Sequence, residues 1–178
     1  MKNTATNPEF LDDLEPWDIW TKTIDQGVNV RGERHRIKSI DGQRITFDEP
    51  IHCNIVAAHN WTVSSSDLIA GWGVEDIHFV GHWKESFVHH KNFVHDSGWS
   101  FMSFFYGERP YVRRSRFTDC SSAVTISGSY GATLINCSIE GNQGHTSFTS
   151  GYFSYGTLMA YCVDTVTGGA FHGMAANH

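Results

Sequence analysis

The sequence predicts an all-β chain wound as a parallel β-helix, a solenoid, with a β-hairpin segment ahead of the coil. Three observations predict it. The chain repeats itself: YVRRSRFTDC (Tyr111 to Cys120) aligns with TLINCSIEGN (Thr133 to Asn142), placing Phe117 on Ile139 at a period of 22 residues. KNFVHDSGW sets Phe93 on Phe117, and MAYCVDTVTGG sets Val163 on Ile139, each at a period of 24. Self-similarity at such a period marks stacked strand–turn–strand units. Within the units apolar and polar residues alternate: Val124 and Ile126 with Thr125 and Ser127, and Ile135, Cys137 and Ile139 with Asn136 and Ser138. That period of two is a strand with one buried face. The composition agrees, since 17 glycines, 24 aromatic residues and only 18% charged residues describe a turn-rich globular chain rather than a disordered one.

In chain order, Asn7-Pro8 followed by EFLDDL predicts a short helix with Asn7 as N-cap, packed through Trp17 and Trp20. HRIKSIDGQRITF then reads as a hairpin. A three-residue loop, Ile40 to Gly42 with Gly42 left-handed, pairs Ile37 with Ile45 and His35 with Phe47. Cys53 to Ser66 is a further strand candidate around Val56 and Val63. Residues 1–70 form this N-terminal segment, and the repeats run over 71–178 from VEDIHFVG. Stacking predicts two buried columns, one of Phe93, Phe117, Ile139 and Val163, the other of Met102, Ile126 and Phe148. Arg113 breaks the pattern, because parity turns it inward beside Ile135; a strand beginning at Arg114 or a bulge would resolve this. Phe171 to Met174 reads as a strand of one more repeat with no polar cap after it. The expectation is a fragment of a longer coil, continued by further repeats or covered by self-association.

A net charge of −6 argues against a general nucleic-acid binder, which needs a basic stripe. No apolar run is long enough for a membrane span, and the polar start MKNTATNPEF shows no secretory signal. The cysteines (Cys53, Cys120, Cys137, Cys162) lack metal-site spacing, and Cys137 reads as a small core residue.

Histidines are the chemistry-bearing residues that cluster. FVHHKNFVHDSGW holds His89, His90, His95 and Asp96; His145 follows in GNQGH and His172 in AFHG. The repeat register lays Trp99 over Ala123 and Ala123 over His145, so distant residues become neighbours across stacked strands. One reading makes His95 a general base or acid, Asp96 the carboxylate that orients it, and His145 a further catalytic group contacting substrate, with His90, Trp99, Arg114, Glu140 and His172 binding substrate. The other reading makes them turn caps and satisfied corner residues. His89 and His90, taken as strand neighbours, point to opposite faces. The spacing of His90, His95 and Asp96 is not specific for a metal, so no cofactor is called for, with a divalent ion as the open alternative. Asp119 and Asp164, at strand ends, read as turn caps, and Glu140 lies outward over Thr118.

The pattern VRRSRFTDCSSAVTISGSYGATLINCSIEGN resembles the pectin-lyase-like, right-handed parallel β-helix proteins, from about Gly71 onwards. WKESFVHHKNFVHDSGWS, GNQGH and GGAFHGM look like a bacterial branch of that superfamily. The resemblance implies a secreted or periplasmic protein that binds and cleaves a polysaccharide by hydrolysis or β-elimination. The aspartate and basic signatures of pectate lyases and polygalacturonases are not recognisable, so no catalytic residue is carried over. The alternative expectation is a non-catalytic glycan-binding, adhesin- or tailspike-like module.

Overall fold

Three-residue strands joined through single left-handed residues set the architecture. The computed structural model of the chain describes residues 33–51, 55, 61–142, 144–151, 154–166 and 171–174. These are mostly strand. The expected helix at Asn7, Trp17 and Trp20, and the strand candidates Cys53 and Val56, lie outside the described residues. The elements in order are β1 (Ile37–Asp41), β2 (Arg44–Phe47), β3 (Ile69–Ala70), β4 (Gly73–Glu75), β5 (His78–Val80), helix α1 (Phe93–Ser97), β6 (Ser100–Phe105), β7 (Gly107–Glu108), β8 (Tyr111–Arg113), β9 (Arg116–Thr118), β10 (Ser122–Ser127), β11 (Thr133–Ile135), β12 (Ser138–Glu140), β13 (Thr146–Gly151), β14 (Leu158–Ala160), β15 (Val163–Asp164) and β16 (Phe171–Met174).

Three four-stranded parallel sheets form, in the orders β4-β8-β11-β14, β5-β9-β12-β15 and β6-β10-β13-β16. The chain visits them in rotation, so each repeat adds one strand to each sheet. The inward side chains Val112 and Leu134 of the first sheet, Phe117 and Ile139 of the second, and Phe104, Val124, Ile126 and Phe148 of the third pack into one cluster. The first two sheets meet at a column of left-handed residues: Asp76, Arg114, Asn136 and Tyr161 have φ of 60°, 45°, 55° and 55°. This conformation costs a non-glycine residue about 1–2 kcal/mol. It is retained because it turns the chain sharply between two strands, both of which find ladder partners.

That corner explains Arg113. It pairs with Ile135 as expected, but both point outward, since Val112 and Leu134 face the core. Neither a late strand start nor a bulge is involved. The left-handed residue that follows resets the alternation, so Cys137 and Ile139 face inward although Ile135 does not. The side chains just after this corner stack as well. Ser115, Cys137 and Cys162 each donate back to the carbonyl two residues before them.

Several columns differ from expectation. Phe117 stacks on Phe79, not Phe93, with ring centroids 5.1 Å apart and planes 4° from parallel. Phe93 opens α1 and is 75% exposed. The cause is an insertion. Neighbouring repeats are offset by 22 residues at Thr118 and Glu140, but by 38 at His78 and Arg116, because residues 81–99 intervene between β5 and β6. Asp164, not Val163, pairs with Ile139, and Val163 is exposed. Met102 and Phe148 do share a column, but with Val124; Ile126 lies between Phe104 and Ser150.

The hairpin is present, with a shorter turn than expected. Asp41 pairs with Arg44 across Gly42-Gln43, and Gly42 has φ of 56°. A positive φ at the first central residue alone suits a II′ turn, which matches the twist of the strands. This turn pairs Ile40, not Ile37, with Ile45, and a register shift between Ile37 and Ser39 then pairs Ile37, not His35, with Phe47. Val63 is exposed and belongs to no strand. Among the described residues no helix is long and apolar enough to cross a membrane.

Candidate functional site

The insertion at 81–99 carries the site, and a buried carboxylate holds the insertion down. Asp119, left-handed at φ 54°, accepts from the Asn142 main-chain N–H at 2.9 Å and from Asn142 Nδ2 at 2.8 Å, and pairs with Lys84. Asn142 Nδ2 also donates to the Trp83 carbonyl at 3.1 Å. The bond from Lys84 is the main cause holding the Asp119 carboxyl below its ordinary pKa, with the Asn142 bonds adding to it against the opposing effect of burial. Trp83 is fully buried, edge-on to His95 at 5.0 Å. Further along, Asn92 caps α1 by accepting from the His95 N–H at 3.1 Å.

His95 is 1% exposed. Its Nδ1 accepts from the Val88 N–H at 3.1 Å, which leaves the ring proton on Nε2, 3.3 Å from the Glu85 carboxylate. With its Nδ1 lone pair already used by Val88 and Nε2 making no hydrogen bond among the described residues, this ring is a positioning residue for the main chain at Val88. Asp96 does not orient it. Asp96 instead turns to His90, accepting from its main-chain N–H at 3.0 Å and lying 3.2 Å from its Nδ1. Loss of solvent pushes the Asp96 carboxyl upward, but the bonds from His90 and the charges of His145 and His90 hold it below its ordinary pKa.

His89 and His90 lie in a turn, not a strand. His90 is left-handed, with φ of 55°, and this brings the two adjacent rings to one side, 3.7 Å apart. His145 completes the group from the next-but-one repeat, 5.0 Å from His89 and 5.4 Å from His90. Its Nδ1 faces the Asp96 carbonyl at 3.3 Å, and Phe87 stacks on its ring at 5.6 Å. Burial is the main cause lowering the His145 pKa; the Asp96 charge and carbonyl oppose it, and His89 and His90 reinforce it. One potential ligand atom from each of His89, His90 and His145 lies within 4.8 Å of the others, so among the described residues these three could hold a metal.

Trp99, Ser121 and His145 form the column beside this group, one residue ahead of the paired Ser100, Ser122 and Thr146. Ser121 Oγ accepts from the Trp99 N–H at 2.8 Å, and the Ser121 carbonyl accepts from the His145 N–H at 2.7 Å. The expected register put Ala123 there; the structure moves it by two residues. Trp99 is 39% exposed and edge-on to His82. Gly144 allows this close approach, because a Cβ there would run into the Cys120 carbonyl oxygen and the Ser121 main chain. Gly144→Ala is therefore expected to cost about 1–3 kcal/mol, and chemical-denaturation midpoints equal to the parent's would contradict this placement of His145.

The remaining expected site residues lie elsewhere. Arg114 sits at the corner between β8 and β9, with Nε and one terminal nitrogen each 2.7 Å from an Asp76 carboxylate oxygen and a bond to Glu75 at 3.0 Å. Glu140 lies over Thr118 as expected and accepts from its hydroxyl at 3.0 Å; Arg116 Nε is 3.2 Å away. His78 joins the same network through Thr118 and Arg116. His172 pairs with Thr149 in β16, in the sheet that also contains β13. The sequence reading missed Glu85 and Phe87 as neighbours of the histidines, and His89 as a partner of His90; the left-handed turn at His90 has no local glycine or proline to announce it. Family models, curated proteins and solved structures contain no match to this chain.

Proposed function

We propose that the chain is a parallel β-helix protein that binds a polysaccharide along its flank and cleaves it over the cluster of His89, His90, Asp96 and His145. The observation that carries this reading is that convergence. Side chains 49 residues apart, Asp96 and His145, meet beside an insertion that a bare stack of repeats does not need. The repeat rule, one strand to each of three parallel sheets, supports the β-helix reading. Such a stack offers a glycan chain a long flank with one or two groups per repeat. Trp99 stands two strand spacings from His145, about 10 Å, and is 39% exposed, an aromatic surface of the kind on which a sugar ring stacks. The reaction class is hydrolysis or β-elimination.

A polysaccharide panel, read for both new reducing ends and unsaturated products, tests the proposal. On the substrate so found, His145→Ala is expected to lower kcat/KM by about 100-fold or more, while Trp99→Ala raises KM. Full turnover in a folded His145→Ala variant would remove cleavage from this cluster. One observation favours a non-catalytic glycan-binding module instead. Arg114 and Glu140 sit in ion-paired networks of their own, none of which includes His89, His90 or His145. Retention on an immobilised glycan with no product from any of the panel would decide for that reading.

A further inference from the structure

The geometry points to a site for one divalent transition-metal ion of the zinc type, held by His89, His90 and His145. It concerns the cluster of the proposed function but does not rest on cleavage, because metal affinity is read on the protein alone. Three imidazoles are the donor set that suits such ions. Their candidate ligand atoms already lie within 4.8 Å of one another. Metal–nitrogen bonds of about 2.0–2.1 Å require separations of roughly 3.4 Å at tetrahedral angles. His89 and His90 are exposed and His145 is partly so, leaving the first two rings room to rotate inward.

Two of the three rings are also oriented from behind. The Asp96 carboxylate takes Nδ1 of His90, and the Asp96 main-chain carbonyl takes Nδ1 of His145. Among the described residues no hydrogen bond engages Nε2 of either ring, so each has a lone pair directed away from its anchor. A ligating histidine held through its other nitrogen by a carboxylate or carbonyl is the arrangement that fixes tautomer and raises ligand basicity. The main chain contributes as well: at the left-handed His90 the two adjacent rings lie 3.7 Å apart. Three protein ligands leave the fourth position to water or to a substrate oxygen, as in catalytic rather than structural sites.

The test uses the full chain, stripped with a chelator and titrated with Zn²⁺ by calorimetry and with Co²⁺ by absorption. One equivalent is expected to bind with micromolar or tighter affinity. The Co²⁺ spectrum should show nitrogen and oxygen ligation without a thiolate charge-transfer band, which excludes Cys162 as the ligand. His89→Ala and His145→Ala should each abolish the tight site, Asp96→Asn should weaken it by about 10–100-fold, and His78→Ala should leave it intact. His145 contributes to packing, so His89→Ala, a change at an exposed ring, keeps the test valid if His145→Ala fails to fold. Absence of a stoichiometric site, a thiolate band, or unchanged affinity in His89→Ala overturns the proposal. Polysaccharide cleavage that persists in the stripped protein would leave the proposed function standing and the metal site to be judged by its own titration. Tight metal binding with no glycan turnover would do the reverse.

Discussion

Phe117→Ala is expected to lower the stability of the folded chain by about 3–5 kcal/mol. Phe117 is fully buried at the centre of the second sheet's inward face. Its ring lies flat on Phe79 from the preceding repeat, edge-on to Phe148 at 6.2 Å, and 6.0 Å from Phe101. Truncation opens a cavity bounded by side chains from two sheets, and parallel strands locked in register by their ladders cannot close in to fill it. Phe93→Ala, by contrast, removes a ring that is 75% exposed and should change stability by no more than about 0.5 kcal/mol. The pair of denaturation curves separates the observed register from the one the repeat spacing suggests. A large loss at Phe93 with little at Phe117 would reverse the assignment.

The contrast between those two phenylalanines also shows how far the sequence could be read. The repeat of 22 residues was legible because Phe117 and Ile139, and Thr118 and Glu140, recur with nothing inserted between their repeats. Parity then placed Val124, Ile126, Cys137 and Ile139 correctly in the core. What was not legible was the break at 81–99. Phe93 has the hydrophobicity of a column residue, and a period of 24 accommodates it. Only the three-dimensional pairing of Phe79 with Phe117 shows that 38 residues separate the true partners. Between Trp99 and His145 the column was right at its ends and wrong in the middle, where Ser121 stands instead of Ala123.

For the site, sequence reading grouped His95, Asp96 and His145 as catalytic and put His90 among the substrate-binding residues; the structure brings His90, Asp96 and His145 into contact. It misassigned Asp96 to the neighbouring His95, because adjacency along the chain suggests a pair that the helix geometry of α1 separates. It excluded His89 on strand parity, where a left-handed turn applies instead. Corner residues of this kind are the least legible elements of the chain. Asp76, Arg114, Asn136 and Tyr161 share one conformation and one structural role, although only Asp76 and Asn136 have the short polar side chain that favours it.

Asp119→Ala is expected to release the insertion and with it the site. The carboxylate is 9% exposed and collects two bonds from Asn142 as well as the Lys84 ammonium. Lys84 is 65% exposed, so that ion pair contributes only about 0–1 kcal/mol. Bonds from N–H donors to a charged acceptor are worth more, and because Asn142 is exposed water replaces them in part; together the expected cost is about 1.5–3 kcal/mol. Because Asn142 also holds the Trp83 carbonyl, the loss is directed at residues 81–92 rather than at the sheets. Amide hydrogen exchange should show faster opening there in Asp119→Ala, with protection in β9 to β13 retained. The sign of the pH dependence follows from the depressed folded-state pKa. The charged form is favoured in the folded state, so the stabilisation is fully present above the unfolded carboxyl's pKa of about 3.9. It is lost as pH falls through the lower folded-state value. Asp119→Asn, which cannot ionise, should therefore be less stable than the parent at neutral pH and lose less on acidification below about pH 4. Equal acid sensitivity in the two proteins, together with unchanged exchange at 81–92, would show that Asp119 does not hold the insertion.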